Sequence, residues 1–376
     1  MSVLGTGIAA HRSAIGQQTP RFRPLAELLG KNSPHAAIHA AWIEDRQAIT
    51  HRLWSPASMA AIHVARQAVE DARWSDSELR DAAIVLGTSR GNAAGWLAPW
   101  PGRRPFRTMA VSNSIHNEPA SAVSIDLGIQ GPAHVQASGC SAGLDALGVA
   151  MMMLATGKAT HALVVAVDLP LVPALLDSYA ASGLLSRLPT LDPYGPDRDG
   201  FIPGEAAAAI AIGPQDARPP LRLLEHLGNT DARHPLAIPP DGGRTPELLK
   251  LAAARHAPPS LIVPHATGTA VQARAETEIF RTCQNARHAN VCLLKPHIGH
   301  TLGASGLIET AILAGFLREG RLPSAMHGTT TPPSMALASE LAPAPGTVIW
   351  KLAHSLGGHN SLLAIQTPTP FQHQHP

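Results

Sequence analysis

Apolar, β-branched runs alternate along the chain with helix-length stretches rich in Ala and Leu, the grammar of an α/β protein. Ser58–Ala72 carries the helical period and precedes Ala82–Leu86, a strand that ends in Gly87–Thr88. Ala142–Lys158 predicts a helix, Ala162–Val167 a buried strand and Ala206–Ile212 another strand, with a proline cluster near 213–220 closing this half. The second half repeats the grammar: helix Pro246–Arg255, strand Leu261–Val263, helix Val271–Cys283, strand Val291–Leu294, helix Leu302–Leu317. A strand-turn-strand over Thr347–Leu352, His354–Asn360 and Ser361–Gln366 ends the pattern. No repeat is visible residue by residue. Thr19–Ile49 and Trp96–Thr108 predict loops, and the tail Phe371–Pro376 predicts a disordered end.

Composition narrows the function classes. A chain of 376 residues has room for two domains or one large duplicated one. With 45% hydrophobic and 15% charged residues it reads as an ordinary globular protein of low surface charge density. A net charge of +2 and the absence of any long Lys/Arg run argue against nucleic acid as a partner. Basic charge is mostly Arg; the lysines are Lys31, Lys158, Lys250, Lys295 and Lys351. The three cysteines, Cys140, Cys283 and Cys292, make no disulfide framework and suit a reducing cytoplasm. Met1–Ala10 lacks the charged start of a signal peptide, so none is expected. The longest apolar stretches, Leu147–Ala155 and Ala162–Leu176, are too short or are broken by Asp168, Pro170 and Pro173, so no membrane span is expected.

Cys140 changes the picture most. It lies in Ser138–Gly139–Cys140–Ser141–Ala142–Gly143, between a short apolar run and a long helical pattern. A thiol at a strand-to-helix turn feels the helix dipole and the unpaired N–H groups there, which lower its pKa and favour the nucleophilic thiolate. Taken alone, such a Cys is more often a small buried hydrophobe. Two histidine segments shift the balance. His265 follows the strand Leu261–Val263 in His265–Ala266–Thr267–Gly268–Thr269. His300 follows Val291–Leu294 in Lys295–Pro296–His297–Ile298–Gly299–His300. Both fall in loops at strand C-termini, where α/β folds place their sites. A thiolate there can attack a thioester carbonyl while imidazoles stabilise the developing oxyanion. Three competing motifs are weaker. Gly139–Gly143 matches a hydrolase elbow with Ser141, but no Asp-then-His order supports it. Gly5–Thr6–Gly7 lacks the acidic residue of a dinucleotide site. His297 and His300 could suggest a metal, against which Lys295 argues, so no metal is expected.

These segments resemble the β-ketoacyl-acyl carrier protein synthases, the condensing enzymes of the thiolase superfamily. Gly131–Pro132 with Gly139–Leu147 is similar to their nucleophile segment, and Arg198–Asp199–Gly200–Phe201–Ile202–Pro203–Gly204–Glu205–Ala206 to their Arg-Asp-Gly-Phe block. His265–Thr269, with Glu276 and Glu278 following, resembles their first His motif; Lys295–Gly306 with Glu309 resembles their Lys/Gly-His block. The motifs run in family order from Ser58 to Ile365. The resemblance implies a thiolase-like α/β fold of two related halves, 1–215 and 216–376, layered α-β-α-β-α. It implies Cys140 as the acylated nucleophile, with His265 and His300 binding the extender carbonyl during decarboxylation. Lys295 would pair with Glu309. The N–H groups of Cys140 and Leu356 would form the oxyanion hole. Thr267 and Thr269 would hold the pantetheine arm, with Phe201, Tyr179 and Gly139 near the acyl chain.

By the same resemblance the substrates carry phosphopantetheine, no separate cofactor is needed, and the partners are an acyl carrier protein and a second subunit, identical or homologous. The segment Ser112–Ile129 would cross the two-fold axis, with Val123, Ile125, Leu127 and Ile129 alternating with polar or small residues as in a half-buried strand or helix edge. The expected reaction is decarboxylative Claisen condensation with malonyl-acyl carrier protein in a specialised fatty acid, polyketide or polyene pathway. Two alternatives stand beside it: a chain-length-factor-like partner without catalysis, which usually lacks the Cys, and an acyltransferase that does not decarboxylate. The sequence also departs from the family. Ala266 replaces a Gly, Gln272–Ala273 a Gly-Asp pair, and Ser355–Leu356–Gly357–Gly358–His359–Asn360 the usual Gly-Phe-Gly-Gly-Thr-Asn turn. The gating Phe is Leu356 and a hinge Gly is lost. Tyr179, if buried, needs a partner for its hydroxyl, a backbone carbonyl being the plain choice; a polar pocket would suit a stiff, unsaturated or aryl-bearing chain.

Overall fold

The protein was analysed as a computed structural model, described for residues 1–93, 97, 115–214, 219–236, 238–286, 288–341 and 343–368. The tail Phe371–Pro376, the stretch Trp96–Thr108 apart from Leu97, residues 112–114 and the 215/216 boundary lie outside the described residues.

Strands β1 (Arg23–Pro24) and β2 (His39–Ala40) pair as a small antiparallel ribbon. Among the described residues, nine further strands form two sheets: β3 (Ala83–Gly87), β4 (Ala133–Gln136), β5 (Ala162–Asp168) and β6 (Ala206–Ile212) in one, β7 (Arg222–Thr230), β8 (Leu261–Val263), β9 (Asn290–Val291), β10 (Val348–Ser355) and β11 (His359–Gln366) in the other. Their orders are β4-β3-β5-β6 and β9-β8-β10-β11-β7. In each, the first three strands are parallel and the fourth antiparallel. The two halves thus share one topology although no sequence repeat is visible.

Alternating side chains explain the layers. On β3, Val85 packs inward against Leu144, Leu147 and Leu307 of two central helices, Ala142–Ala155 and Ser305–Leu317, while Ile84 and Leu86 pack outward. The outward face is covered by helices Pro56–Ala72 and Glu118–Leu127. On the second sheet Val263, Ile349 and Leu363 face the same central helices; Ile262, Trp350 and Leu362 face helices Thr245–Arg255 and Ala270–Thr282. The result is a helix-sheet-helix-sheet-helix sandwich, the α/β thiolase-like arrangement. Sheets buried on both faces read as continuous apolar runs, which is why β5 has every residue buried.

Close approach of the central helices requires glycine. A Cβ on Gly143 would lie 2.8 Å from the Gly303 carbonyl oxygen, and one on Gly306 2.6 Å from Leu144 Cγ. Their absence lets the N-terminal ends of both helices touch.

Several elements differ from the sequence reading. Strand β7, half-buried along most of its length, escaped notice, as did helices Ile8–Gln17 and Pro173–Ala181. Val291–Leu294 is a strand only over Asn290–Val291. Glu118–Leu127, read as a strand or helix edge, is a regular helix: Val123 is buried but Ile125 is 70% exposed, because a helix turns alternate residues to different faces.

Candidate active site

Cys140 stands in a single 3-10 turn, Gly139–Ser141, between the C-terminal end of β4 and the helix Ala142–Ala155. His265 follows β8, and His300 lies between the short helix Lys295–Ile298 and the 3-10 turn Leu302–Ala304. The fold brings the three together. His300 Nε2 is 3.4 Å from Cys140 Sγ, and the rings of His265 and His300 meet edge to face at 5.2 Å. Ligating atoms of Cys140, His265 and His300 all lie within 4.8 Å of one another, near enough to hold a soft cation as well as a reacting carbonyl. The neighbouring Lys295 opposes a cation.

Burial sets the protonation states. Both imidazoles are held well below the usual histidine range, by burial first and then by Lys295, so they are neutral at any ordinary pH. The Cys140 thiol differs from the expectation. Although the residue keeps some exposure, burial followed by Asp168 pushes it up to about 12, outweighing Lys295 and Arg90. The resting group is a thiol, and ionisation needs a proton acceptor; His300 Nε2 is the atom in reach.

A buried carboxylate ties the supporting elements together. Glu309, on the second central helix, accepts from Lys295 Nζ at 2.6 Å and from Lys351 Nζ at 2.8 Å, all three side chains 1% exposed. Burial alone would raise Glu309, but the two ammonium groups bring it below the usual carboxylate range. Lys351 was missed by sequence reasoning; it also donates to the Pro264 carbonyl, the residue before His265. Burial lowers it to about 8. Its signal was a lysine inside the apolar run of β10.

The His265 loop is held by Glu276, which accepts from the His265 and Ala266 N–H groups at 2.7 and 3.0 Å and from Tyr194 Oη at 2.9 Å. Glu278 instead pairs with Arg281 on the surface. Ala266 takes a positive φ of 47°, so a Cβ sits where glycine is favoured. A third histidine, also missed, stands behind: His354 faces His265 at 5.8 Å and bonds Gln272 at 2.7 Å and Thr245 at 3.1 Å. Gln272 therefore has a partner in the site rather than leaving a gap.

The remaining residues named from the sequence divide. Phe201 lies edge-on to His300 at 5.2 Å and to Tyr179 at 5.6 Å. Tyr179 is buried, yet its hydroxyl bonds Arg90 Nε at 3.2 Å rather than a backbone carbonyl. Thr267 and Thr269 are buried and bond one another at 3.2 Å, and Thr269 caps the helix Ala270–Thr282. The Cys140 N–H, expected to be an open oxyanion donor, is occupied: it donates to Ser355 Oγ at 3.0 Å. Ser355 Oγ in turn donates to the Leu356 carbonyl at 3.2 Å, and Leu356 is half-buried in the turn before Gly357. Gly139, at φ 64°, lies against the same hydroxyl and leaves no room for a side chain. Of the competing motifs, Ser141 Oγ is committed to the Ser138 carbonyl and Asp145, each at 2.9 Å, and His297 to the Ser324 carbonyl at 2.9 Å. Asp168, read from the sequence only as a break in an apolar stretch, accepts from Thr88 and from the Ser89, Arg90 and Gly303 N–H groups, and so ties β3 to the turn after His300.

This geometry has close counterparts. Family models described as the β-ketoacyl synthase N-terminal and C-terminal domains match residues 35–217 and 225–329. A 3-oxoacyl-[acyl-carrier-protein] synthase 2 of Staphylococcus aureus is 26% identical over 336 residues, covering 81% of this chain and 82% of its own. Among solved structures, a type II polyketide ketosynthase in complex with its acyl carrier protein, bound to the hexaketide, superposes with TM-score 0.81 at 21% identity, over 98% of this chain and 97% of its own. The ishigamide ketosynthase/chain length factor follows at TM-score 0.78 and 19% identity, over 98% and 97%. Fold, motif order and the two domain matches converge: the chain belongs to the β-ketoacyl synthase family, enzymes that form carbon–carbon bonds between carrier-bound acyl groups.

Proposed function

We propose that Cys140, His265 and His300 carry a decarboxylative Claisen condensation between an acyl group on Cys140 and malonyl-acyl carrier protein. The observation that carries the reading is a thiol 3.4 Å from one of two buried, neutral imidazoles. In the first half-reaction Cys140 Sγ attacks the acyl thioester, and its proton passes by way of His300 Nε2 to the departing pantetheine thiolate. In the second, the carbon–carboxylate bond of the malonyl group breaks, carbon dioxide leaves, and the electron pair enters an enolate held by N–H bonds from the two imidazoles. The enolate carbon attacks the acyl-Cys140 carbonyl, a carbon–carbon bond forms and the thiolate leaves. Neutral imidazoles suit this step, since they stabilise an enolate without a proton acidic enough to quench it.

His300 must accept at Nε2 in one half-reaction and donate there in the other. Ser305 Oγ, 3.2 Å from His300 Nδ1, supports both: a hydroxyl can accept from Nδ1–H or donate to bare Nδ1. Thr267 and Thr269 face the pantetheine arm in this reading, and no separate cofactor enters. We assign the nucleophile to a half spanning 1–215 and the histidines to a half spanning 216–376. An acyl carrier protein delivers both substrates, and the enzyme works in the cytoplasm, in keeping with its three free cysteines. The second subunit, a copy or a homologue, meets the segment before the nucleophile, residues 112–129, where Ile125 is exposed, and the neighbouring edge strand β4, whose Ala133 and His134 are exposed. Sedimentation should find a dimer at assay concentration; an active monomer would refute the assignment.

Retention of Cys140 disfavours a non-catalytic chain-length factor, and the presence of both histidines disfavours transfer without decarboxylation. The test is intact-protein mass spectrometry for an acyl adduct on Cys140, with carbon dioxide release from malonyl-acyl carrier protein. Cys140→Ala should abolish condensation, whereas Cys140→Gln should keep decarboxylation because its amide imitates the acylated state. Full condensation by Cys140→Ala, with Ser141 labelled, would overturn the reading.

A further inference from the structure

Beside the nucleophile lies a cation that the condensation does not use. Arg90 follows β3, and its backbone N–H is pinned by Asp168 Oδ1 at 2.8 Å. The carboxylate of Asp168 is already committed to four donors, from Thr88, Ser89, Arg90 and Gly303, so it does not serve as the guanidinium's ion-pair partner. The guanidinium reaches Tyr179 instead: Nε donates to the phenol oxygen at 3.2 Å, and Cζ lies 5.8 Å from the ring centroid. Among the described residues, the two terminal nitrogens have no hydrogen-bond partner and no carboxylate lies at ion-pair distance, Asp168 acting on the guanidinium only from further off.

Its place relative to the reacting atoms follows from a chain of rings. Tyr179 meets Phe201 at 5.6 Å, Phe201 meets His300 at 5.2 Å, and His300 is 3.4 Å from Cys140 Sγ. Cys140 itself packs against the apolar cluster of Leu171, Leu176, Tyr179, Phe201 and Leu302. Arg90 and the thiol are near enough to act on each other electrostatically. The apolar cluster against which Cys140 packs therefore carries, through Tyr179, an exposed guanidinium fork held by one nitrogen with two left over. A planar fork with two free donors matches a carboxylate, which it can bind bidentately.

We propose that Arg90, oriented by Tyr179, forms a subsite for a carboxylate carried on the acyl chain, so that the enzyme selects half-thioesters of dicarboxylic acids over plain alkyl thioesters. The proposal rests on Cys140 as the acylated residue. The expected backbone-carbonyl partner of Tyr179 is not what the structure shows: its hydroxyl accepts from Arg90 Nε at 3.2 Å. A buried phenol bonded to an arginine discriminates by charge, not by chain stiffness.

The subsite can be read apart from the nucleophile. Calorimetry on Cys140→Ala, which cannot be acylated, should show pantetheine glutarate half-thioester binding at least about tenfold more tightly than the matched valeryl thioester, the worth of one charge-assisted hydrogen bond. Adding Arg90→Gln should abolish that ratio, Arg90→Lys should keep part of it, and Tyr179→Phe should reduce it. Equal binding of the two thioesters, or a ratio unchanged by Arg90→Gln, would overturn the subsite. Mass spectrometry of the protein with Cys140 intact reports the nucleophile separately: failure of both thioesters to acylate it would sink the parent reading while the calorimetric ratio still decides Arg90. If Arg90→Gln loses its fold by circular dichroism, competition by free glutarate against the half-thioester in Cys140→Ala decides; no competition would count against the subsite.

Discussion

At the scale of single residues, burial decides the chemistry more than sequence position does. His265 and His300 are depressed by desolvation, so protonation lies well below the working range. Malonyl decarboxylation should therefore run flat through pH 6.5, where an ordinary histidine would give an acid limb; a limb at that pH would mean that one imidazole is exposed during turnover. His300→Ala should slow decarboxylation by roughly 10²-fold or more, the effect of removing an oxyanion donor. Acylation of Cys140 should suffer less, and equal losses in both half-reactions would point to a structural role. Ser355 has the opposite character. Its hydroxyl occupies the Cys140 N–H at 3.0 Å, the donor that an acyl oxyanion needs. Ser355→Ala should free that donor and raise the single-turnover acylation rate; a fall would show that the hydroxyl itself donates to the oxyanion.

At the scale of elements, one carboxylate joins three segments. Lys295 begins a short helix, Lys351 lies inside β10, and Glu309 projects from the central helix between them. Removing Glu309 leaves two buried ammonium groups without their shared counter-ion, whereas removing Lys351 leaves the Lys295–Glu309 pair intact. Glu309→Gln should cost about 3–5 kcal/mol in urea denaturation, the usual penalty for breaking a buried ion pair, and Lys351→Met distinctly less. Equal costs would imply that Lys351, not Lys295, is the principal partner. The close contact of the central helices belongs to the same scale: Gly143 and Gly306 let their ends meet, which sets Cys140 beside His300.

At the scale of the whole molecule, buried histidines make the fold acid-sensitive. Burial lowers His11 and His354 to about 3 and also depresses His265, His297 and His300. Each folded value lies below the unfolded one, so the unfolded chain binds more protons and stability falls as pH drops below about 6.5. Asp168, raised to about 6 by burial, has the reverse sign: the folded state binds the extra proton between roughly pH 4 and 6, offsetting part of the loss. Glu118 and Glu276, also raised by burial, add to that offset. The melting temperature should fall from pH 7 to pH 5, the slope growing below 6.5 as the imidazoles of the unfolded chain fill with protons. A melting temperature that rises over this interval would contradict the burial of these histidines.

The periodic apolar pattern by itself determined the α/β class, most of the strands and helices, and the order of the Cys, His and Lys segments. Such features depend on neighbours along the chain: Leu261–Val263 could be read to the residue because it is buried and apolar throughout, and Ala206–Ile212 because it is apolar throughout, although its last four residues are half-buried. Only the tertiary structure decided what meets across it. β7 alternates too weakly to stand out, and Ile125 changes face once its segment coils. Lys351, His354 and Asp168 read as stray polar residues in apolar runs until Glu309, Gln272 and the Arg90 and Gly303 N–H groups are brought to them. The protonation of Cys140 was decided in the same way. A helix N-terminus is visible in sequence and favours the thiolate, whereas desolvation depends on everything packed around the thiol, and here it dominates.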